Sequence, residues 1–328
     1  MKRITQHYGA DLEWVHSVAK QYGGKVKGNF IVVPEEISTG PRYYLKCGKG
    51  IVALYLDLEY KSDLCLIQKN LKHDFLGLYF NLSQSEAKFS CGDDSDTVGS
   101  WAYNLACIDS SSTFQFEVKA GSRVFLFCIF IKKEAIELLI KKNGLGLKSK
   151  GISKILNPSK QDYIEWDRMN NVSFHILDDL RNQEVGDILF DLNMIGTVNI
   201  LLSEYLSKLS NNRIVIRSIN EKDLRNIIQA QRYLVENLEK KFPGISFLAL
   251  EASMSESKFK RLFYQMTDMS PNSFFIDNKL VRAKHLLEEK ELTVTQISDQ
   301  LNFGSLTFFS AQFKKKFGIL PKLYSLQL

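Results

Sequence analysis

Between residues 28 and 131 the chain alternates apolar and polar positions with a period of two. Val52, Leu54, Leu56, Leu58 and Tyr60 alternate with Ala53, Tyr55, Asp57 and Glu59, as expected of a strand with one buried face. Phe114, Phe116 and Val118 alternate in the same way with Gln115, Glu117 and Lys119, and Ala120-Gly121 follows as a turn signal. Residues 124–131 are apolar throughout and predict a central strand; residues 75–82 predict another. Short strands without intervening helices imply an antiparallel sandwich or barrel, preceded by a short helix over 11–22. At residue 132 the pattern changes. Residues 132–142 read as a helix ending at Asn143-Gly144, and the Gly-, Ser- and Lys-rich stretch 145–160 reads as a loop. From about 161 the pattern predicts helix, most clearly over 186–209. There Ile188, Ile195, Leu202 and Leu209 recur every seventh residue, with Leu192, Val198, Tyr205 and Leu206 beside them. Such a stripe serves packing within the chain or a dimer interface. The expected organisation is a β-rich domain over 1–145, a helical linker or dimerisation region over 146–215 and an all-α domain over 216–328.

The last third repeats itself. Leu248-Ala249 matches Ile297-Ser298 and Ser253 matches Asn302, an offset of 49. After a one-residue slip, Phe259 matches Phe309, Phe263 matches Phe313, Pro271 matches Pro321 and Phe274 matches Tyr324. Each copy predicts a short helix, a tight turn and a second helix. In the first copy Ser255 is an N-cap and Phe259, Leu262, Phe263 and Met266 form one apolar face. Ser257, Lys258, Lys260, Arg261 and Tyr264 lie off that face. In the second, Thr293 and Gln296 form a capping box, Asn302 takes the turn, and the helix from Ser305 stops at Gly318 with Pro321 beyond. Phe309, Phe313 and Phe317 face inward; Leu306, Thr307, Ser310, Ala311, Lys314 and Lys315 are the outward candidates. A helix opened by Ser270-Pro271 joins the copies.

Charge sharpens the picture. The net charge is +6, and residues 211–328 hold 18 basic and 12 acidic side chains while residues 1–210 hold 25 of each. A basic all-α domain with two helix-turn-helix units has the geometry that inserts second helices into the DNA major groove. Arg261 and Lys260 are the candidates for base readout, Ser257 and Thr307 for bases or phosphate, and the Lys314–Lys316 run for phosphate; Ser255, Lys258, Ser305, Leu306, Ser310 and Ala311 complete the expected DNA-contacting set.

On these residues the chain resembles the AraC/XylS family of transcriptional regulators. The resemblance rests on Leu248-Ala249, Ser255, Phe259 and Arg261-Leu262-Phe263 in the first unit. Arg282-Ala283 and Leu286-Leu287 carry it in the connecting helix. In the second unit it rests on Ile297, Phe303, Ser305, Phe308-Phe309-Ser310, Phe313-Lys314, Phe317-Gly318, Pro321 and Tyr324. It covers about a third of the chain. It implies seven helices in the C-terminal domain, promoter DNA and RNA polymerase as partners, and a cupin-like sensory barrel followed by helices that form a homodimer. The whole would be α+β, a cytoplasmic activator responding to a small-molecule effector. Leu306, Thr307 and Ala311 stand where members often carry Arg or Gln, so the second unit is expected to grip phosphate or thymine methyls. Ser253 and Asn302 replace turn glycines.

Other classes find less support. The start of the chain has no apolar segment of the kind that opens a secretory signal, and the longest apolar run is strand-sized, so no membrane partner is expected. The five cysteines, Cys47, Cys65, Cys91, Cys107 and Cys128, form no CxxC pair and read as small apolar residues. The five histidines are scattered, so no metal or cofactor is expected and no catalytic constellation is visible; the chain reads as a non-enzyme. Tyr43, Tyr55, Tyr79 and Trp101 are candidates to line an effector cavity. Two other readings remain: a DNA-binding regulator governed by abundance or by a protein partner, and a barrel enzyme targeted to DNA.

Overall fold

The computed structural model describes residues 1–83, 87–91, 94–142, 164–210 and 219–327. The expected loop at 145–160 and the stop at Asn143-Gly144 lie outside them. The chain divides into two compact units, Met1–Arg217 and Ser218–Leu328.

The first unit is built on two sheets. One has the order β1(Lys2–Gln6), β7(Leu64–Lys69), β12(Thr113–Val118), β9(Ala87–Cys91), β10(Asp94–Val98). The other runs β14(Ile164–Asp167), β11(Leu105–Asp109), β8(Phe75–Asn81), β13(Arg123–Lys132), β6(Ile51–Tyr60), β5(Arg42–Gly48), β3(Phe30–Val32), β2(Lys25–Lys27), with β4(Ser38–Thr39) paired to β6. Neighbours are antiparallel except β1, which runs parallel to β7. The apolar segment 124–131 forms β13, central between β6 and β8 as its composition requires.

Each face of the larger sheet is covered. On one, Val52, Leu54, Leu56, Leu58, Phe75, Tyr79 and Phe130 pack with Ile4, Leu66, Phe89 and Phe114 of the smaller sheet. Trp14, Val15, Val18 and Ala19, at and within α1(Val15–Gln21), close one end of this core. On the other face, Ala53, Tyr55, Leu78, Phe125, Phe127 and Ile129 pack against α2(Lys133–Lys142), α3(Asn171–Arg181) and α4(Phe190–Ser210). The alternation along β6 therefore separates two cores, and Tyr55, on the polar phase of the sequence pattern, is buried under the helices.

Two expectations change here. Residues 164–167 form a strand, where the pattern predicted helix from 161. Ile164 and Trp166 pack on the inter-sheet core, while the alternate residues Glu165 and Asp167 are buried on the opposite phase, and the segment pairs with β11. The clearest long helix begins at Phe190 and spends only the later part of the expected stripe on the sheet: Val198, Leu202, Tyr205, Leu206 and Leu209 are buried in the helix-covered core with Met194 and Leu201, while Ile188 and Leu192 are exposed. Arg181 anchors α3 to β6 through two 2.8 Å hydrogen bonds to Asp57. Lys208 anchors α4 beside β14 through Asp167 at 3.2 Å and the Arg168 carbonyl at 2.8 Å.

The second unit is helical: α5(Glu221–Glu236), α6(Ile245–Glu251), α7(Glu256–Thr267), α8(Pro271–Glu289), α9(Val294–Gln300), α10(Leu306–Phe317) and α11(Pro321–Gln327). Leu280, Ala283, Leu286 and Leu287 of α8 pack with Ile297, Leu301, Phe303, Phe309 and Phe313 of the second copy.

Candidate nucleic-acid interface

The repeat seen in the sequence is a repeat of backbone geometry. In the turn after α6, Ser253 has φ +53°; in the turn after α9, Asn302 has φ +51°. Each turn is closed alike: Met254 N–H donates to Ala249 O at 2.9 Å, and Phe303 N–H to Ser298 O at 3.1 Å. The residues at these positions sit in the left-handed region that glycine enters without strain. The one-residue slip is located at Gly304, an extra turn residue with φ +82° immediately before the N-cap Ser305. Recognition helices α7 and α10 begin in the same way. Ser255 accepts from Lys258 N–H and Ser305 from Phe308 N–H, so both serines cap helices. The helices end at residues in the left-handed conformation, Asp268 (φ +57°) and Gly318 (φ +80°). The capping box Thr293–Gln296 and the Ser270 cap with Pro271 in the first turn are formed as the sequence predicts.

The capping geometry fixes which faces turn outward. On α7, Phe259, Leu262, Phe263 and Met266 are buried, and Ser257, Lys260, Arg261 and Tyr264 form an exposed stripe at helical spacing. Lys258 turns aside to an ion pair with Asp223 of α5 at 2.8 Å, which holds the recognition helix to its scaffold. Lys260 pairs with Glu256 one turn back at 3.3 Å. Arg261 is exposed and makes no ion pair among the described residues. On α10, Leu306, Thr307, Ala311, Lys314 and Lys315 are exposed, Ser310 is half-buried, and Lys316 is tied to Asp277 of α8. Phe309 and Phe313 are fully buried, while Phe317 is only half so. Phe308, which the sequence marks as part of the resemblance but not among the outward candidates, is 41% exposed at the start of α10, beside Leu306 and Thr307. A large ring three residues after an N-cap was the available signal.

A residue that reasoning from the sequence missed holds the second turn in place. Lys279 of α8 is buried, and its ammonium donates to Leu301 O at 2.5 Å, Lys240 O at 2.8 Å and Asn302 O at 3.1 Å. It also lies 4.6 Å above the Phe275 ring. Burial pushes its pKa down from 10.5 to about 8. This cation caps the carbonyl end of α9 and ties α8 to both copies' surroundings.

The joining helix α8 has 19 residues, a length of about 28 Å. Phe263 of α7 packs on Phe274 of α8 at 5.4 Å, and Phe309 and Phe313 of α10 pack with Leu280, Ala283 and Leu287 of the same helix, so one scaffold helix holds both recognition helices. Among the described residues no group of three or more His, Cys, Asp or Glu is placed to hold a metal, and no helix is long and apolar enough to cross a membrane.

The candidates in the first unit part company. Tyr79 lines a cavity between the two sheets. Tyr43 and Tyr55 lie on the opposite face of the large sheet, edge-on to Phe190 of α4 at 5.4 and 5.5 Å. Trp101 is half-buried and is not among the residues lining that cavity. The cysteines form no disulfide. Burial raises the thiols of Cys47 and Cys107 to about 12, which keeps them protonated.

The family described as "Helix-turn-helix domain" matches residues 248–327. The HTH-type transcriptional regulator AlkR of Acinetobacter baylyi is 27% identical over 163 residues, covering 50% of this chain and 52% of AlkR. The F1 operon positive regulatory protein of Yersinia pestis is 32% identical over 106 residues, covering 32% of this chain and 34% of that protein. The chain thus spans about half or less of the length of these relatives. A solved structure of ToxT from Vibrio cholerae is 13% identical and covers 85% of this chain and 98% of that chain, at a TM-score of 0.31. The matched residues, the paired turns and the outward stripe on α7 agree: the C-terminal unit of this chain carries a helix-turn-helix domain.

Proposed function

We propose that the chain is a transcription regulator that binds promoter DNA in a sequence-specific manner through both helix-turn-helix units. The first unit senses a small-molecule effector, and the protein acts in the cytoplasm as a homodimeric activator that engages RNA polymerase. The observation that carries this reading is the pair of matching turns and caps that present two recognition helices from one scaffold helix. The excess positive charge in the same third of the chain supports it. On α7 the arginine left without an ion pair, Arg261, has the donor fork that reads guanine O6 and N7. On α10 Leu306, Thr307 and Phe308 offer apolar contacts for thymine methyls, with Lys314 and Lys315 for phosphate. Exposed Ile188, Leu189, Leu192 and Ile200, on and beside α4, supply an apolar face suited to a second protomer.

Effector control follows as a population shift. A ligand that binds one arrangement of the protein more tightly than another moves the equilibrium by its differential affinity alone, typically about 1–3 kcal/mol. The test is selection of sites from random duplex DNA by the full-length chain, followed by binding to the recovered sites against salt. An enriched motif whose affinity falls with salt is expected. Binding without any enriched motif would refute sequence-specific regulation.

A further inference from the structure

The inter-sheet cavity contains a charge that no carboxylate among the described residues balances. Arg42, at the start of β5, is 4% exposed and lines the cavity. One terminal nitrogen donates to Ser38 Oγ at 2.9 Å, while its Nε–H finds no acceptor. The guanidinium carbon lies 4.6 Å over the Tyr22 ring and 5.7 Å from that of Tyr60. Its electrostatic neighbours are the phenols of Tyr60, Tyr22 and Tyr8, and among the described residues no carboxylate forms an ion pair with it. A buried cation faced only by neutral groups is costly, and a cation of this kind is normally paired.

The rest of the cavity defines what could pair with it. Its walls are mostly apolar, with Leu54, Leu56, Leu66, Ile108, Val124 and Leu126 contributing, and its other polar side chains, such as Gln68 and Asn104, are neutral. One cation among neutral groups matches one negative charge; a dianion would leave a charge uncompensated. The planar guanidinium fork favours a planar anion such as a carboxylate. The cavity volume is about 70 Å³, and on that measure one water needs roughly 10–15 Å³, so the space suits a small organic molecule.

We propose that the effector is a small organic monocarboxylate, bound between the two sheets with its anionic group on Arg42 and its apolar body against the leucine-rich walls. This rests on the sensor reading given above and names the ligand class for it. Trp166 also lines the cavity, so its emission reports occupancy.

The test titrates the full-length protein with butyrate, hexanoate, octanoate and benzoate, and with hexanamide and hexanol as neutral counterparts, following tryptophan emission and melting temperature. DNA affinity is measured in parallel on the same preparation. At least one carboxylate is expected to bind ten-fold or more tightly than its neutral counterpart. Arg42→Gln should erase that preference, and Arg42→Lys should retain part of it. Equal affinity of acid and amide for the wild-type protein would overturn the proposal, and that comparison stands even where Arg42→Gln fails to fold. A neutral compound that binds and shifts DNA affinity where no carboxylate does would overturn the ligand class and leave the sensor reading intact. Intact DNA binding with no response to any compound would overturn both.

Discussion

Replacing Lys279 by Met removes the ammonium that closes the second helix-turn-helix turn while keeping an unbranched side chain of similar length. Three charge-assisted hydrogen bonds, to the carbonyls of Leu301, Lys240 and Asn302, are lost. At the lower end of ~1.5 kcal/mol each, they contribute roughly 4–5 kcal/mol. Against this stands the cost of burying the ammonium. Burial lowers the pKa from 10.5 to about 8, which puts that cost at roughly 3 kcal/mol, since one unit is worth about 1.4 kcal/mol. The net expectation is a loss of about 1–2 kcal/mol, or roughly 4–8 °C in melting temperature for a unit of this size. The three tryptophans, Trp14, Trp101 and Trp166, all lie in the first unit. Tryptophan emission therefore follows the sandwich, and circular dichroism at 222 nm is weighted to the helical second unit. Lys279→Met should lower the dichroism transition and leave the emission transition in place. The pH dependence has a definite sign. The folded pKa lies below the unfolded value, so between about pH 8 and 10.5 the unfolded chain binds more protons and stability rises with pH. The variant should lack that rise. A variant as stable as the wild type would refute the clamp.

Other outcomes follow from the same geometry. Ser253→Gly relieves a left-handed serine and should stabilise the second unit by about 0.5–1 kcal/mol, read by urea denaturation; Ser253→Val should destabilise it. Phe309→Ala empties a fully buried site and should cost about 3–5 kcal/mol, enough to remove DNA binding at 37 °C. Asp57→Asn breaks the paired hydrogen bonds from Arg181 and should lower the tryptophan-detected melting point while sparing the helical transition, by about 1–3 kcal/mol. Lys258→Ala, which loses its Asp223 partner, should weaken DNA binding less than Arg261→Ala, because Lys258 is already turned aside to that half-buried pair while Arg261 is exposed.

The helix-turn-helix unit was legible because its determinants are local. Caps, left-handed turns and i, i+3, i+4 aromatic faces are written within a dozen residues. Their repetition at Phe259 and Phe309 showed that the spacing had structural meaning, and the slip foreshadowed Gly304. The sandwich was legible as strands and not as layers. Whether Tyr55 or Tyr79 faces the inter-sheet cavity depends on which side the helices of 171–210 cover, and nothing near either residue records that. The same gap hid the strand at Ile164–Asp167, whose edge pairing with β11 outweighs local preference. Lys279 and Arg42 were invisible for a related reason. A lone basic residue reads as surface until the fold brings carbonyls from 22 and 39 positions away, or encloses it among phenols. On the recognition helices the outward faces were legible, but the diversion of Lys258 to Asp223 was not, because its partner lies on another helix 35 residues earlier.

The central claim is that two units read two neighbouring groove segments, with Arg261 reading bases in the first. Missing-base interference on the selected duplex site tests it most directly, comparing the full-length wild-type protein with Arg261→Ala. The account predicts two clusters of required bases about one helical turn apart on one face of the duplex. It also predicts that Arg261→Ala abolishes the requirement for guanine in one cluster alone, with a loss of about 1–3 kcal/mol. A single cluster, or a variant whose pattern of required bases is unchanged, would contradict it.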